Sequence, residues 1–535
     1  MTEQLNYSTC AVGKNHFFNS AAEPNATAPP PSHGWASQFL YDGLGRGMLP
    51  DPGGEFDDYD AWFAAQTGGQ DPLATGGSEL DWNSWQGAAY EYAEALHPTA
   101  WVGARARAFL ANASARPGQP FFLKVSFHRP HSPYDPPQRL LDSVRAEDLP
   151  PVVVGGNWGD EIFAGPSAEC GPDHVDAWCG RMPEPNFTLA RRAYRANIRF
   201  VDEQVGLILA DLGGLGLANS TWVLFTSDHG DGQGDHNLWR KCYPYELSAH
   251  VPGIISWPAG VAAALPRGSA TPLLAELRDI FPTVLDIAGR RDLARALNGS
   301  SWACLVTDDP SGASCGSGAA APGAPGPFAW RDRLDLEHSL IYNASIYWNA
   351  VISGALKYIF WAPTAREQLF DLASDAGELN DLALDPTRAA DLARMRAMLL
   401  QQWRDEGRPE GTWYSASGEL LTRSDGQTYS PNYPAPPAPP RPTPPACNAS
   451  SPWFGPTVGG YYKGDNLAQF SALTLDEARA RCCAAAACAG LDFAADEPGN
   501  PASKGSGFLK VDAGNGWTDS AQYVGLYKPG MVPGH

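Results

Sequence analysis

Hydrophobic and polar positions divide this chain into short apolar runs that end in polar clusters, joined by stretches of helical period. Thr221-Trp-Val-Leu-Phe225 reads as a strand buried on both faces, and Ser227-Asp228-His229-Gly230 follows at its end. Pro120 to Phe127 repeats the pattern and runs into His128-Arg-Pro-His131, where four prolines within ten residues stiffen the loop. Thr9 to Gly13 is a third short strand, after which Lys14 and His16 project to the same side of an extended chain. Between these runs the spacing predicts helices near Thr99 to Ala113, from Leu189 to Leu212 and near Leu273 to Ala288, and a strand from Val251 to Trp257. In the long helix Tyr194, Ile198, Val201, Val205, Ile208 and Leu209 fall near one face. Residues 20 to 95 show little periodicity and read as surface excursions.

Farther along, Leu336 to Leu340, Trp348 to Trp361 and Gln368 to Leu372 read as successive short strands, followed by a helix near Arg388 to Trp403. Nine of the fifteen residues from Pro431 to Pro445 are proline, which marks a stiff linker. Beyond it Leu473 to Ala487 reads as an alanine-rich helix carrying Cys482 and Cys483, and Gly507 to Lys528 as strands and turns. The expected class is α/β: a mixed sheet flanked by helices over 1–330, a small α+β subdomain over 331–430, a linker at 431–446 and a small disulfide-rich module at 447–535.

Composition changes this picture in two ways. With 38 Lys and Arg against 59 Asp and Glu, the net charge of −21 argues against a general nucleic-acid or anionic-membrane surface, so an anion site must be a local concentration of positive charge. Eight of the twenty asparagines (Asn6, Asn25, Asn112, Asn186, Asn219, Asn298, Asn343 and Asn448) open an N-x-Ser/Thr sequon. That exceeds the about two or three that chance would give. The ten cysteines fit a secretory history as well: Cys170/Cys179, Cys304/Cys315 and the 482, 483, 488 cluster read as disulfides, since no paired C-x-x-C spacing suggests zinc. An extracellular or lysosome-like compartment is expected. No apolar run is long enough to cross a membrane, and the first residues do not form a signal peptide, so the amino terminus is expected to be incomplete.

The candidate chemistry gathers at 228–241. An adjacent Asp228-His229 pair, a glycine-rich turn, His236 and Lys241 suit a metal ion holding an anionic substrate, with a solvated, turn-rich loop as the alternative. Lys14 and His16 could grip one oxyanion, and His131, between Pro130 and Ser132, reads as functional. His128 reads as a partner for surface carboxylates, and His338 as a residue lining the substrate pocket.

Four stretches in order carry a family likeness: V-G-K-N-H-F at 12–17, P-F-F-L-K-V-S-F-H-R-P-H-S-P-Y at 120–134, T-S-D-H-G-D-G-Q-G-D-H-N-L-W-R-K at 226–241 and E-Q-L-F-D-L-A-S-D-A-G-E-L-N-D-L-A at 367–383. The chain resembles the sulfatases of the alkaline-phosphatase superfamily, arylsulfatase-like and iduronate-sulfatase-like members in particular. The resemblance implies an alkaline-phosphatase-like fold and hydrolysis of a sulfate ester on a glycan or aryl alcohol. It implies that Asp228 and His229 are metal ligands, and that Lys14, His16, His131 and Lys241 hold the sulfate and protonate the leaving oxygen. Calcium is the family expectation, while an imidazole ligand also admits manganese or zinc. The segment after the linker is similar to a PAN/apple-type module, which implies a glycan or protein partner.

The chain also departs from that family. None of its cysteines sits in C/S-x-P/A-x-R, where sulfatases form their formylglycine nucleophile, and the first metal-binding Asp pair is missing. Both belong upstream of Lys14, so the expectation is a sulfatase lacking its amino-terminal segment. Two other readings stand beside it: a phosphonate or phosphodiester hydrolase of the same superfamily, and a non-catalytic protein that binds sulfated glycans.

Overall fold

The computed structural model describes residues 5–15, 33–41, 58–70, 72, 80, 84–159, 170–171, 176–295, 297–315, 329–338 and 346–424, and the backbone of five strands between 454 and 527. The chain forms two compact units, with Ser430–His535 in the second. In chain order the first contains β1 (Ser8–Gly13), β2 (Ser37–Leu40), α1 (Asp58–Thr67), α2 (Pro98–Ser114), β3 (Phe121–Ser126), α3 (Gln138–Ser143), α4 (Asn186–Gly214), β4 (Val223–Thr226), α5 (Glu246–Ala249), β5 (Gly253–Ser256), α6 (Ile280–Ile287), α7 (Arg291–Ala294), α8 (Trp302–Thr307), β6 (Leu334–His338), β7 (Trp348–Ser353), β8 (Leu356–Trp361), β9 (Arg366–Asp371) and α9 (Ala389–Asp405).

β1 lies between β2 and β3, parallel to both. Cys10, Ala11 and Val12 are fully buried there, packed with Tyr41, Tyr59, Phe63, Trp101 and Val102. Segment 20–95 is therefore more than surface: it supplies β2, and its helix α1 anchors Tyr59 and Phe63 in the core. Two buried residues four apart in a ten-residue helix are too few to register as periodicity.

β4 pairs antiparallel with β5. The expectation that it is buried on both faces fails, since Phe225 is 41% exposed and Ile254, opposite it, 57%. Among the described residues β4 is paired on one edge only. Helix α4 has the expected extent but a different inner face. Ala190, Ala193, Ala196 and Phe200 are buried, whereas Ile198 and Leu209 are exposed. Small residues let neighbouring elements approach closely: Gly87 meets Ala193 so tightly that a Cβ on the glycine would lie 2.8 Å from the alanine methyl. Apolar periodicity alone could not reveal an interface made by alanines.

β6 to β9 form an antiparallel sheet in that order, covered on both faces by period-two alternation. Trp348, Ala350, Ile359, Trp361 and Phe370 pack on Trp158, Trp178, Tyr243 and Tyr245. Tyr347, Val351, Tyr358, Phe360 and Leu369 pack on Met395, Leu399 and Trp403, the last three from α9. The helix expected at 273–288 begins later, at Ile280, after a short turn that Glu276 caps. Cys170–Cys179 and Cys304–Cys315 are disulfide-bonded, and among the described residues Cys10 is a free thiol.

In the second unit, β10 (Phe454–Tyr462), β11 (Asn466–Thr474), β12 (Gly490–Ala495), β13 (Lys504–Lys510) and β14 (Trp517–Tyr527) form an antiparallel sheet in the order β10-β14-β12-β13-β11. Leu473 and Thr474 end β11, so the helix expected from Leu473 does not begin there. The rest of that helix, its cysteines and the proline-rich stretch lie outside the described residues.

One ion cluster joins α5 to the four-stranded sheet. The fully buried Lys357 donates to Glu246 at 2.5 Å and to the buried Glu378 at 2.8 Å. Removing one partner of such a cluster leaves uncompensated charge. Lys357→Met should therefore cost about 3–5 kcal/mol, read as a fall of about 5–10 °C in the thermal unfolding midpoint. A midpoint within a degree of the parent would contradict this account.

Candidate active site at the strand ends

The ends of β1, β3 and β4 bring the polar clusters together. β1 stops at Gly13, whose φ is 88° and whose Cα lies so close to Ser126 that a Cβ would sit 1.9 Å from the Ser126 carbonyl oxygen. Only glycine fits, and this close approach places Lys14 immediately beyond the paired strands. The Lys14 N–H continues the ladder to Ser126 O at 2.9 Å. The turn is pinned by Asn15, which donates to Gly13 O at 2.8 Å and accepts from Lys124 Nζ at 2.7 Å.

The buried Lys14 reaches across 214 residues to donate to Asp228 Oδ2 at 2.9 Å. Burial pushes the Asp228 carboxyl up, but His229 and Lys14 outweigh it and hold it at about 2. Its side chain is 60% exposed, so it lines an open mouth. His229 follows directly, and its Nε2 lies 3.6 Å from Asp228 Oδ2. Its Nδ1 faces Gly230 O at 2.8 Å. A carbonyl only accepts, so Nδ1 carries the proton and Nε2 presents a lone pair. That Nε2 is buried without a hydrogen-bond partner among the described residues.

The pair fits part of a cation shell. An orphaned imidazole lone pair beside an ionised carboxylate oxygen is a donor set suited to a divalent ion. Among the described residues no group of three or more His, Cys, Asp or Glu side chains converges, so these two atoms are the part of a shell that the structure shows.

His131 sits above this pair, its ring 5.8 Å from that of His229. Nδ1 donates to Ser132 O at 2.9 Å, which leaves Nε2 to accept from Lys241 Nζ at 2.5 Å. Burial, then the Lys241 charge, holds His131 well below the ordinary imidazole range. Burial, then Lys14, lowers Lys241 to about 8.

His128 was expected at the surface, paired with carboxylates. It is instead buried, its ring 4.8 Å from that of His131 and edge-on to Tyr41 at 5.4 Å. Arg129 Nη1 lies 3.0 Å from its Nδ1, and a guanidinium only donates, so this nitrogen is the acceptor. Arg129 is itself held by a buried bidentate pair with Asp135, at 2.6 and 2.7 Å, and by Tyr41 Oη at 2.9 Å. Burial, then His131, lowers His128 well below the usual range.

The structure thus gathers Lys14, His131, Asp228, His229 and Lys241. His236 is placed elsewhere. It is buried between Trp158 and Tyr245, with ring separations of 4.6 and 5.5 Å, and its Nδ1 accepts from the Gly155 N–H at 3.0 Å. Both facts fit a loop-orienting role, with burial lowering it to about 4. His338 ends β6 with its ring stacked 6.1 Å from Trp348, whose indole donates to Cys242 O at 3.0 Å, so it lies behind Lys241. His16 lies outside the described residues. Sequence reasoning missed Asp231, which accepts from Tyr134 Oη at 2.8 Å and from the N–H groups of Gln233 and Arg240, both at 3.2 Å. Its place in a D-G-Q-G turn was the available signal.

Fold and site together define an α/β protein with a cluster of lysines, histidines and one carboxylate at its strand ends. A family model described as Sulfatase matches residues 1–290. The chain is 33% identical over 423 residues to an arylsulfatase of Clostridium perfringens, covering 78% of each. It is 31% identical over 203 residues to iduronate 2-sulfatase of Homo sapiens, covering 32% of this chain and 36% of that relative. The fold is similar to the crystal structure of phosphonate monoester hydrolase of Agrobacterium radiobacter, with a TM-score of 0.54 at 20% identity over 76% of this chain and 79% of that one. The chain belongs to the sulfatase family, and with it to the sulfuric ester hydrolases.

The tautomers give a direct test. In nuclear magnetic resonance spectra at pH 6, His131 should be neutral with its proton on Nδ1, and Lys241→Met should raise its titration midpoint by removing a neighbouring charge. A parent midpoint at or above the ordinary 6.5 would refute this arrangement.

Proposed function

We propose that the protein hydrolyses a sulfate ester, on a glycan or an aryl alcohol, at the site formed by Lys14, His131, Asp228, His229 and Lys241. The observation that carries this reading is the meeting of two lysines and a proton-carrying His131–Lys241 pair beside one metal-competent Asp–His pair. Sulfate-ester cleavage builds negative charge on the transferring group and on the leaving oxygen, and fixed cations and an acid meet those two needs.

In this reading Lys14 and Lys241 hold the sulfate oxygens, with His16 as a further contact. One proton is shared between Lys241 Nζ and His131 Nε2, and the pair delivers it to the leaving oxygen. Asp228 Oδ2 and His229 Nε2 would hold a divalent ion, which when bound neutralises charge on the sulfate oxygens. An oxygen-rich shell favours calcium, and the imidazole also admits manganese or zinc.

The imidazole of His229 favours a second reading, hydrolysis of a phosphonate or phosphodiester, because that related group shares an Asp-His metal pair. Turnover of aryl sulfate against aryl phosphonate decides between them. A strong phosphonate preference would overturn the first reading.

Secretion and glycosylation belong to the same proposal. Asn6, Asn112, Asn186, Asn219 and Asn298, the sequon asparagines that are described, are all exposed. Exposure is what the glycosylating enzyme requires. The 447–535 module is read as binding a glycan or protein partner, and no described helix is long and apolar enough to cross a membrane.

Two outcomes follow. Inorganic sulfate should bind the 535-residue chain, and Lys241→Ala should abolish that binding. Because the charged ammonium binds the anion and its midpoint is about 8, affinity should be full below that pH. Above it, affinity should fall by about tenfold per pH unit, measured by calorimetry. Protein secreted from a eukaryotic host should shift in mass on treatment with an N-glycosidase, and an unshifted mass would refute glycosylation.

A further inference from the structure

Lys241 is flanked by two residues in the left-handed region, Arg240 at φ 65° and Cys242 at φ 78°. Side chains other than glycine and asparagine rarely adopt that conformation, and it persists where the surroundings over-determine it. Arg240 is held by its N–H to Asp231 Oδ1 at 3.2 Å and by its carbonyl, which accepts from the Gly232 N–H at 2.7 Å. Cys242 is held on one side by the Trp348 indole, which donates to its carbonyl at 3.0 Å. On the other side its N–H donates to Ser248 Oγ at 2.9 Å.

Ser248 does more than hold Cys242. Its hydroxyl also accepts from the Tyr243 N–H at 3.3 Å, and its carbonyl accepts from the Gly230 N–H at 2.9 Å. A single buried residue therefore contacts both the turn that follows Asp228-His229 and the turn that carries Lys241. Gly230 permits this, because a Cβ there would lie 2.1 Å from the Leu247 carbonyl oxygen. Helix α5, which carries Ser248, is anchored in turn: Glu378 accepts the Glu246 N–H at 2.7 Å, and Lys357 binds both carboxylates.

We propose that Ser248 is a positioning residue for sulfate-ester hydrolysis: it sets the separation between the His229 turn and Lys241 so that both face one oxyanion. This rests on the reading of Lys241 as a sulfate-holding group. Ser248 itself touches no substrate and acts through the backbone of Cys242 and Gly230.

The test uses the 535-residue chain with Ser248→Ala and Ser248→Thr. Sulfate affinity is measured by calorimetry with inorganic sulfate, folding by thermal unfolding, and Lys241 by the pH dependence of its acylation, read by mass spectrometry. Lys14, Arg240, Asp231, Cys242, His131, His128 and His229 are the charged or titratable groups around that amine. Ser248→Ala should weaken sulfate binding by about tenfold and move the Lys241 midpoint from about 8 towards the ordinary lysine range. Ser248→Thr, which keeps the acceptor, should restore both. If the alanine variant does not fold, Trp348→Phe releases the other side of Cys242 and should shift the midpoint in the same direction. Parent-like sulfate binding by a folded Ser248→Ala overturns the proposal. Weaker binding with an unmoved Lys241 midpoint also overturns it, because the residue would then act through general stability. A parent chain that binds no sulfate removes the reading of Lys241 and this inference together, whereas parent binding with an unaffected variant removes only the role of Ser248.

Discussion

Charge crowding is the constraint on which this structure turns. Lys14 and His229 flank the Asp228 carboxylate, and His131, with His128 and Lys241 beside it, packs against His229. Like charges in a poorly solvated site repel strongly, so five full charges there could not persist. Burial keeps the three imidazoles neutral and brings Lys241 down to about 8. Neutrality is what makes each ring useful, because a neutral imidazole offers one donor and one acceptor in a defined order. The neighbours set that order: Ser132 O for His131, Gly230 O for His229 and the Arg129 guanidinium for His128.

Holding such a set in place requires a rigid frame. Gly13 and Gly230 allow contacts that any Cβ would block. The Arg129–Asp135 pair, fully buried and bidentate, supports His128 from behind. The four-stranded sheet presents Trp348, Ile359 and Phe370 to Tyr243 and Tyr245, just past Lys241, so the small subdomain forms a wall behind the site. This explains why a fully buried Lys357 is retained. It neutralises Glu246 and Glu378 where the wall meets helix α5.

Much of the site was legible because its residues follow apolar runs that end abruptly. Gly13-Lys14, His128 to His131 and Asp228-His229 each stand at a strand terminus that period and composition reveal. The environment of His128 was not legible. Next to an arginine it reads as solvated, and its burial depends on Asp135, six residues on from Arg129, and on Tyr41, 88 residues before it. The inner face of α4 was misread for a related reason: alanines bury by close approach, while Ile198 and Leu209 point outward. The exposure of Phe225 and Ile254 likewise depends on which strand edges are paired, and an apolar run cannot report that.

In the proposed reading, arrival of the substrate offsets the field that keeps these groups neutral. An anion beside His131 and Lys241 favours their charged forms, so both midpoints rise when a sulfate ester binds. Lys241 then retains its proton at pH values where the free site would begin to lose it, above about 8. The anion also offsets the Lys241 charge that holds His131 down, which draws the shared proton towards Nε2. In the proposed reading the substrate thus strengthens the site's hold on the proton that the leaving oxygen needs. The same logic ties rate to geometry: only if Lys241 is fixed within hydrogen-bond reach of His131, as the clamped turn at Arg240 and Cys242 fixes it, can one proton serve both groups.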